Sequence, residues 1–192
     1  MGREFELKFH ASAAKLDAIR ADYEGFREIA MVTTYYDTPD QALLPLHWTL
    51  RQRMENGVSV CTLKTPCAEG GRCEWEAECE DITAGIEELC KLGAPEDLKT
   101  LTAKGVEKVC GARFVRQALT LELEDCTLEL ALDRGVLQGG YRMELLVEVE
   151  VELKSGSDEA AMAFSRTLAA KYGLIPHRAS KYKRALALTG RI

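Results

Sequence analysis

Several stretches of this chain place like charges two residues apart. Glu4 and Glu6 do so near the start, and Glu148, Glu150 and Glu152 do so in "VEVEVEL". Glu74, Glu76 and Glu78 repeat the pattern in "CEWEAECE". Arg51 and Arg53 carry the opposite sign, and Lys64 closes "VSVCTLK". Residues two apart on a β-strand share a face and stand about 6–7 Å apart, from a rise of about 3.3 Å per residue. Two acidic strands facing each other would supply several carboxylates to a hard cation such as Mg²⁺ or Mn²⁺. Arginine matches phosphate oxygens two at a time, and lysine adds a point charge. Carboxylates that suit a metal, together with cations that suit an anion, point to a polyphosphate chain.

Alternation of this kind calls for strands. Phe5, Leu7 and Phe9 oppose Glu4, Glu6 and Lys8, and Val149, Val151 and Leu153 oppose the three later glutamates. Residues 58–64, 73–80, 111–123, 127–135 and 141–147 read the same way. "ENG" at Glu55–Gly57 and "QGG" at Gln138–Gly140 mark turns. Ser12 and Ser157 are placed to cap helices that stop at Gly25 and Gly173. Shorter helices are expected at 82–92, near 95–104 and at 179–188. The whole is read as one α+β domain over residues 1–192, mostly antiparallel sheet. The charged faces then have two readings. An open sheet would leave them in water. A sheet curled into a barrel would turn them inward, at a cost that only pairing or metal binding offsets.

Composition narrows the partners. The 192 residues are 46% hydrophobic and 29% charged, with a formal net charge of −6. That balance lacks the basic footprint of a nucleic-acid binder. No apolar run has the length of a membrane span or signal peptide, so a cytoplasmic protein is expected. The cysteines at 61, 67, 73, 79, 90, 110 and 126 form no C-x-x-C pair. They are expected to be reduced, small buried side chains. His10, His47 and His177 make no spaced cluster.

An ordered series of motifs adds to this. "EFELK" at Glu4–Lys8 is followed by "YYDTPD" at Tyr35–Asp40, "LRQR" at Leu50–Arg53 and "TLK" at Thr62–Lys64. The acidic strand at 74–80, "ALDRG" at Ala131–Gly135, "EVEVELKSG" at Glu148–Gly156 and "SKYKRAL" at Ser180–Leu186 complete it. The series resembles the CYTH domain of the triphosphate tunnel metalloenzymes, most closely the bacterial inorganic triphosphatases. The resemblance implies an eight-stranded antiparallel β-barrel, or tunnel, with helices outside, hydrolysing a small-molecule triphosphate with Mg²⁺ or Mn²⁺. It implies catalytic work by Glu4, Glu6, Lys8 and Lys64. It implies substrate binding by Lys8, Arg51, Arg53, Lys64, Arg116, Asp133 and Lys181. It assigns metal to Glu4, Glu6, Glu76, Glu78 and two of Glu148, Glu150 and Glu152. The family's strand near 116 commonly bears a second basic residue two positions on, where this chain has Ala118. Thiamine or nucleoside triphosphates, a class IV adenylate cyclase and a polyphosphate-binding module are the alternative readings.

Overall fold

The computed structural model describes residues 5–68 and 71–192; Glu4 lies outside them. The chain forms strands β1 (Glu6–His10), β2 (Arg27–Asp37), β3 (Thr49–Glu55), β4 (Val58–Pro66) and β5 (Arg72–Glu78), then β6 (Glu107–Glu122), β7 (Cys126–Gly139), β8 (Arg142–Gly156) and β9 (Ile175–His177). The α-helices among the described residues are α1 (Ala13–Asp22), α2 (Ile82–Lys91), α3 (Asp97–Leu101), α4 (Asp158–Tyr172) and α5 (Lys181–Ala187). The architecture is mixed α+β around one large antiparallel sheet.

Local chemistry sets the boundaries. The Ser12 hydroxyl accepts from Lys15 N at the start of α1, and the Ser157 hydroxyl accepts from Ala160 N at the start of α4. Gly173 ends α4 in the left-handed conformation, φ 60°. Helix α1 stops at Asp22, with Tyr23 as its extended cap, before the Gly25 expected to end it.

Among the described residues the sheet has nine strands in the order β5-β4-β3-β2-β6-β7-β8-β1-β9. This corrects the expected eight-stranded closed barrel: among the described residues β5 and β9 are edges, and no ladder joins them. Strand β9 is three residues long and contains Pro176, which has no N–H to offer a further strand. The sheet nonetheless curls, because side chains from β1 and from β5 line one cavity. Its convex face is covered at both ends. Leu128, Leu130, Leu132, Val149 and Val151 pack with Leu16 and Ile19 of α1 and with Ala161 and Leu168 of α4. Leu50, Cys61 and Leu63 pack with Ile86 and Leu89 of α2 and with Leu98 of α3. A third core lies on the concave face, where Ala185 and Leu186 of α5 meet Leu137, Leu146, Met31 and Tyr35.

The expectation of seven reduced thiols is also corrected. Cys61 is bonded to Cys79 and Cys67 to Cys73, leaving Cys90, Cys110 and Cys126 free. Strands β4 and β5 run antiparallel, so residues distant in sequence come into bonding range. No helix among the described residues is long and apolar enough to cross a membrane.

Candidate active site

The concave face encloses a cavity of about 580 Å³. Register explains why charges meet there. Glu6 stands directly opposite Glu152, and Glu152 opposite Glu129; Lys8 stands opposite Glu150. On the far side Arg51 and Arg53 of β3, Lys64 of β4 and Arg72 of β5 face inward. An acidic wall built by β1, β7 and β8 therefore faces a basic wall built by β3, β4 and β5.

Carboxylates stand among the cations of the basic wall. Arg51 lies 3.7 Å from Glu74, Lys64 lies 3.2 Å from the same residue, and Arg53 lies 3.7 Å from Glu76 and pairs with Glu55. The buried Arg51 Nε has no hydrogen-bond partner among the described residues. Burial, reinforced by the adjacent Arg51, pushes the Arg53 guanidinium below its ordinary value. An anion between the two would relieve both conditions.

The acidic wall divides into layers. Glu152 and Glu6 face the cavity, held by Lys154 at 2.8 Å and Lys8 at 2.6 Å respectively. Deeper, Asp133, Glu148 and Glu150 bring carboxylate oxygens within 4.8 Å of one another, a cluster able to hold a metal ion. An ammonium already stands among them. Lys181 Nζ is 2.6 Å from Glu148, 2.6 Å from Glu150 and 2.8 Å from Asp133. Burial opposes its charge, but the three carboxylates outweigh burial and raise its pKa. Arg116 donates twice to Asp133, at 2.8 Å each, and also pairs with Glu150. Burial disfavours the Glu150 carboxylate, yet Lys181, Arg116 and Lys8 hold it well below the usual range. Glu148 behaves oppositely. Burial, with Glu150 beside it, pushes its carboxyl up to about 7 against the pull of Lys181. His177, whose ring burial and nearby His10 push down to about 4, shares a 2.9 Å hydrogen bond with Glu148.

Of the residues singled out from sequence, Glu6, Lys8, Arg51, Arg53, Lys64, Glu76, Arg116, Glu150, Glu152 and Lys181 line this cavity. Glu76 stands on the basic wall, accepting from Thr62 Oγ1 at 3.1 Å. Glu78 lies at the end of β5 and lines a neighbouring depression instead. Asp133 and Glu148 are fully buried behind the cavity surface. The lining also includes Arg27, Arg72, Glu74 and Glu129, which sequence reasoning did not assign. Glu74 and Glu129 share strand parity with residues that were assigned, so their signal was present.

The CYTH domain model matches residues 2–186. The chain belongs to the CYTH domain family. This CYTH chain is 28% identical over 157 residues to an inorganic triphosphatase of Haemophilus influenzae. The match takes in 81% of this chain and 45% of that protein, so the chain spans about half the length of the curated relative. Two of the solved structures that share the fold cover nearly the whole chain. One, described as a putative adenylyl cyclase, HpAC1, from Hippeastrum with a dominant triphosphatase activity, superimposes with a TM-score of 0.65 at 19% identity, covering 96% of this chain and 95% of that one. The other, PH1819 from Pyrococcus horikoshii, gives 0.63 at 21%, covering 96% and 98%.

The cavity-facing donors Glu6, Glu150 and Glu152 are all carboxylates, the oxygen set that a hard divalent cation takes. Glu6 and Glu152 are direct cross-strand neighbours, and like charges so placed repel. A cation between them would remove that repulsion, so the residues present fit such an ion.

Proposed function

We propose that this chain hydrolyses a triphosphate, with inorganic triphosphate the preferred substrate, to pyrophosphate and phosphate. The observation that carries the reading is a wall of cations, Arg51, Arg53 and Lys64, facing a carboxylate wall across one cavity, with the buried Arg51 Nε lacking a hydrogen-bond partner among the described residues. The triphosphatase named among its relatives supports it.

In this reading Arg51, Arg53 and Lys64 bind the phosphate oxygens and spread the negative charge of the bound chain. Phosphoryl transfer is catalysed mainly by positioning and charge stabilisation, and these groups supply both. Lys8 stands across the cavity, 3.9 Å from Glu150, where it orients the near end of the substrate. Glu6, Glu150 and Glu152, with Glu4, would hold Mg²⁺ or Mn²⁺. When bound, that ion polarises a phosphoryl oxygen and makes a nucleophile of water at neutral pH. Lys181 and Arg116 hold Glu150 ionised and in place from behind. Asp133 is proposed to act through Arg116 and Lys181 rather than by touching substrate.

Phosphate release from tripolyphosphate, thiamine triphosphate, ATP and pyrophosphate, each with Mg²⁺ and with Mn²⁺, tests the reading. Tripolyphosphate should be turned over fastest. Release from none of them overturns hydrolysis. Cyclic AMP and pyrophosphate from ATP would assign a cyclase instead.

A further inference from the structure

Two guanidinium groups converge on Glu129 in the cavity, and they are held very differently. Arg116 is 3.7 Å from Glu129 but is fixed elsewhere, by two 2.8 Å hydrogen bonds to buried Asp133 and by Glu150. Arg27 reaches Glu129 by a single 3.4 Å contact, and its side chain is 66% exposed. An exposed pair of this kind is worth about 0–1 kcal/mol. Arg116 cannot leave its partners without stranding a buried carboxylate, whereas Arg27 can leave Glu129 at little cost.

Its position gives that freedom a use. Arg27 is the first residue of β2 and stands opposite Ala118 of β6. The same row continues through Ala131 of β7 to Glu150 of β8 and Lys8 of β1. Between Arg27 and Glu150 the floor is therefore two alanines, and no bulky side chain from that row separates Arg27 from the acidic wall. Ile29, two residues along β2, is opposite Arg116, which makes Arg27 and Arg116 diagonal neighbours on one face. Arg27 also lines the adjoining depression, with Glu55 and Asn56, so it stands where the cavity opens.

We infer that Arg27 is a further substrate-binding residue, which exchanges Glu129 for a phosphate group of the bound polyphosphate. The inference rests on the triphosphate reading above. A charge-assisted, two-point bond from guanidinium to phosphate is stronger than the loose pair it replaces. Strand β6 offers no cation at Ala118, and the arm that serves this part of the cavity comes from β2 instead.

Steady-state kinetics on tripolyphosphate should show Arg27→Gln raising KM roughly 10–100-fold, the loss of one hydrogen-bonded charge contact. The turnover number should change much less, and Arg27→Lys should recover part of the loss. A structural role alone would not give this division. Thermal shift by tripolyphosphate in metal-free buffer reads binding without turnover. Wild type should be stabilised, Arg27→Gln should be stabilised less, and melting without ligand should be the same in both. Equal KM and equal thermal shift in wild type and Arg27→Gln overturn the assignment of Arg27. A wild type stabilised by tripolyphosphate but releasing no phosphate overturns hydrolysis, and the inference then stands or falls on the thermal shift. If wild type shows neither response, both readings fall.

Discussion

Replacing Lys181 with methionine removes an ammonium that three carboxylates surround. Lys181 Nζ lies 2.6–2.8 Å from Glu148, Glu150 and Asp133, all buried, and methionine keeps most of the side-chain volume. Arg116 still neutralises part of the cluster, and Arg184, 3.0 Å from Glu148, another part. Breaking a buried pair from one side costs about 3–5 kcal/mol. At about 2–4 °C per kcal/mol for a domain of this size, melting should fall by roughly 6–20 °C. The deficit must also depend on pH. Glu148 already has its carboxyl raised from 4.5 to about 7, so its protonated form is the one favoured by folding. For a group raised on folding, stability is fully present below the unfolded pKa and is lost as pH rises through the folded value. Without Lys181 the rise is greater, so the variant should be least impaired near pH 5 and most impaired above pH 7. Calorimetry of wild type and variant from pH 5 to pH 8 reads both effects. A drop under 3 °C, or a larger drop that is flat with pH, would refute the view that Lys181 neutralises the cluster.

Glu6→Gln with Glu152→Gln removes two facing carboxylates; phosphate release should fall at least 100-fold while melting holds or rises by a few degrees, because cross-strand repulsion is relieved. Arg51→Ala should raise KM for tripolyphosphate by roughly 10–100-fold in steady-state assays, as one charged hydrogen-bonding group is lost. Gly135→Ala would place a methyl 2.2 Å from Arg113 O and 2.5 Å from Phe114 Cα, backbone that cannot turn aside. Overpacking there should cost about 1–3 kcal/mol, seen as a lower denaturation midpoint in urea. Reducing the Cys61–Cys79 bond, which closes a loop with a sequence separation of 18, should cost about 3 kcal/mol and lower melting accordingly in dithiothreitol.

The legible strands were those whose two faces differ most. β1 and the second half of β8 alternate acid with Phe, Leu or Val, so period two is unmistakable. β2 was not read as a strand. Its inward face carries Arg27, Ile29, Met31, Thr33 and Tyr35, while its outward face mixes Ala30 and Val32 with Glu28 and Thr34. Neither face is purely polar or apolar, and Arg27 was missed with the strand that carries it. Parity also fails to separate Glu148 from Glu150 and Glu152. All three point the same way, and only the seating of α5 on the concave face buries the first and leaves the others at the cavity. Lys181 belongs to that helix. The carboxylates it meets are 31 to 48 residues earlier in the chain, a separation no local pattern reports. The starts of α1 and α4 were better placed, because serine caps act within three residues.

The open edge at β5 has a mechanical consequence. β4 and β5 are tied to the rest of the sheet through β3 alone, and they carry Lys64, Arg72 and Glu74. Two disulfides cross-link this pair, and α2 lies along its outer face. Cross-linked on one side and packed against helices on the other, the hairpin holds Lys64, Arg72 and Glu74 in fixed places relative to one another. A polyanion bound there, as proposed above, would touch cations of this edge hairpin and of its neighbour β3 at once, and so would tie the open edge to the body of the sheet.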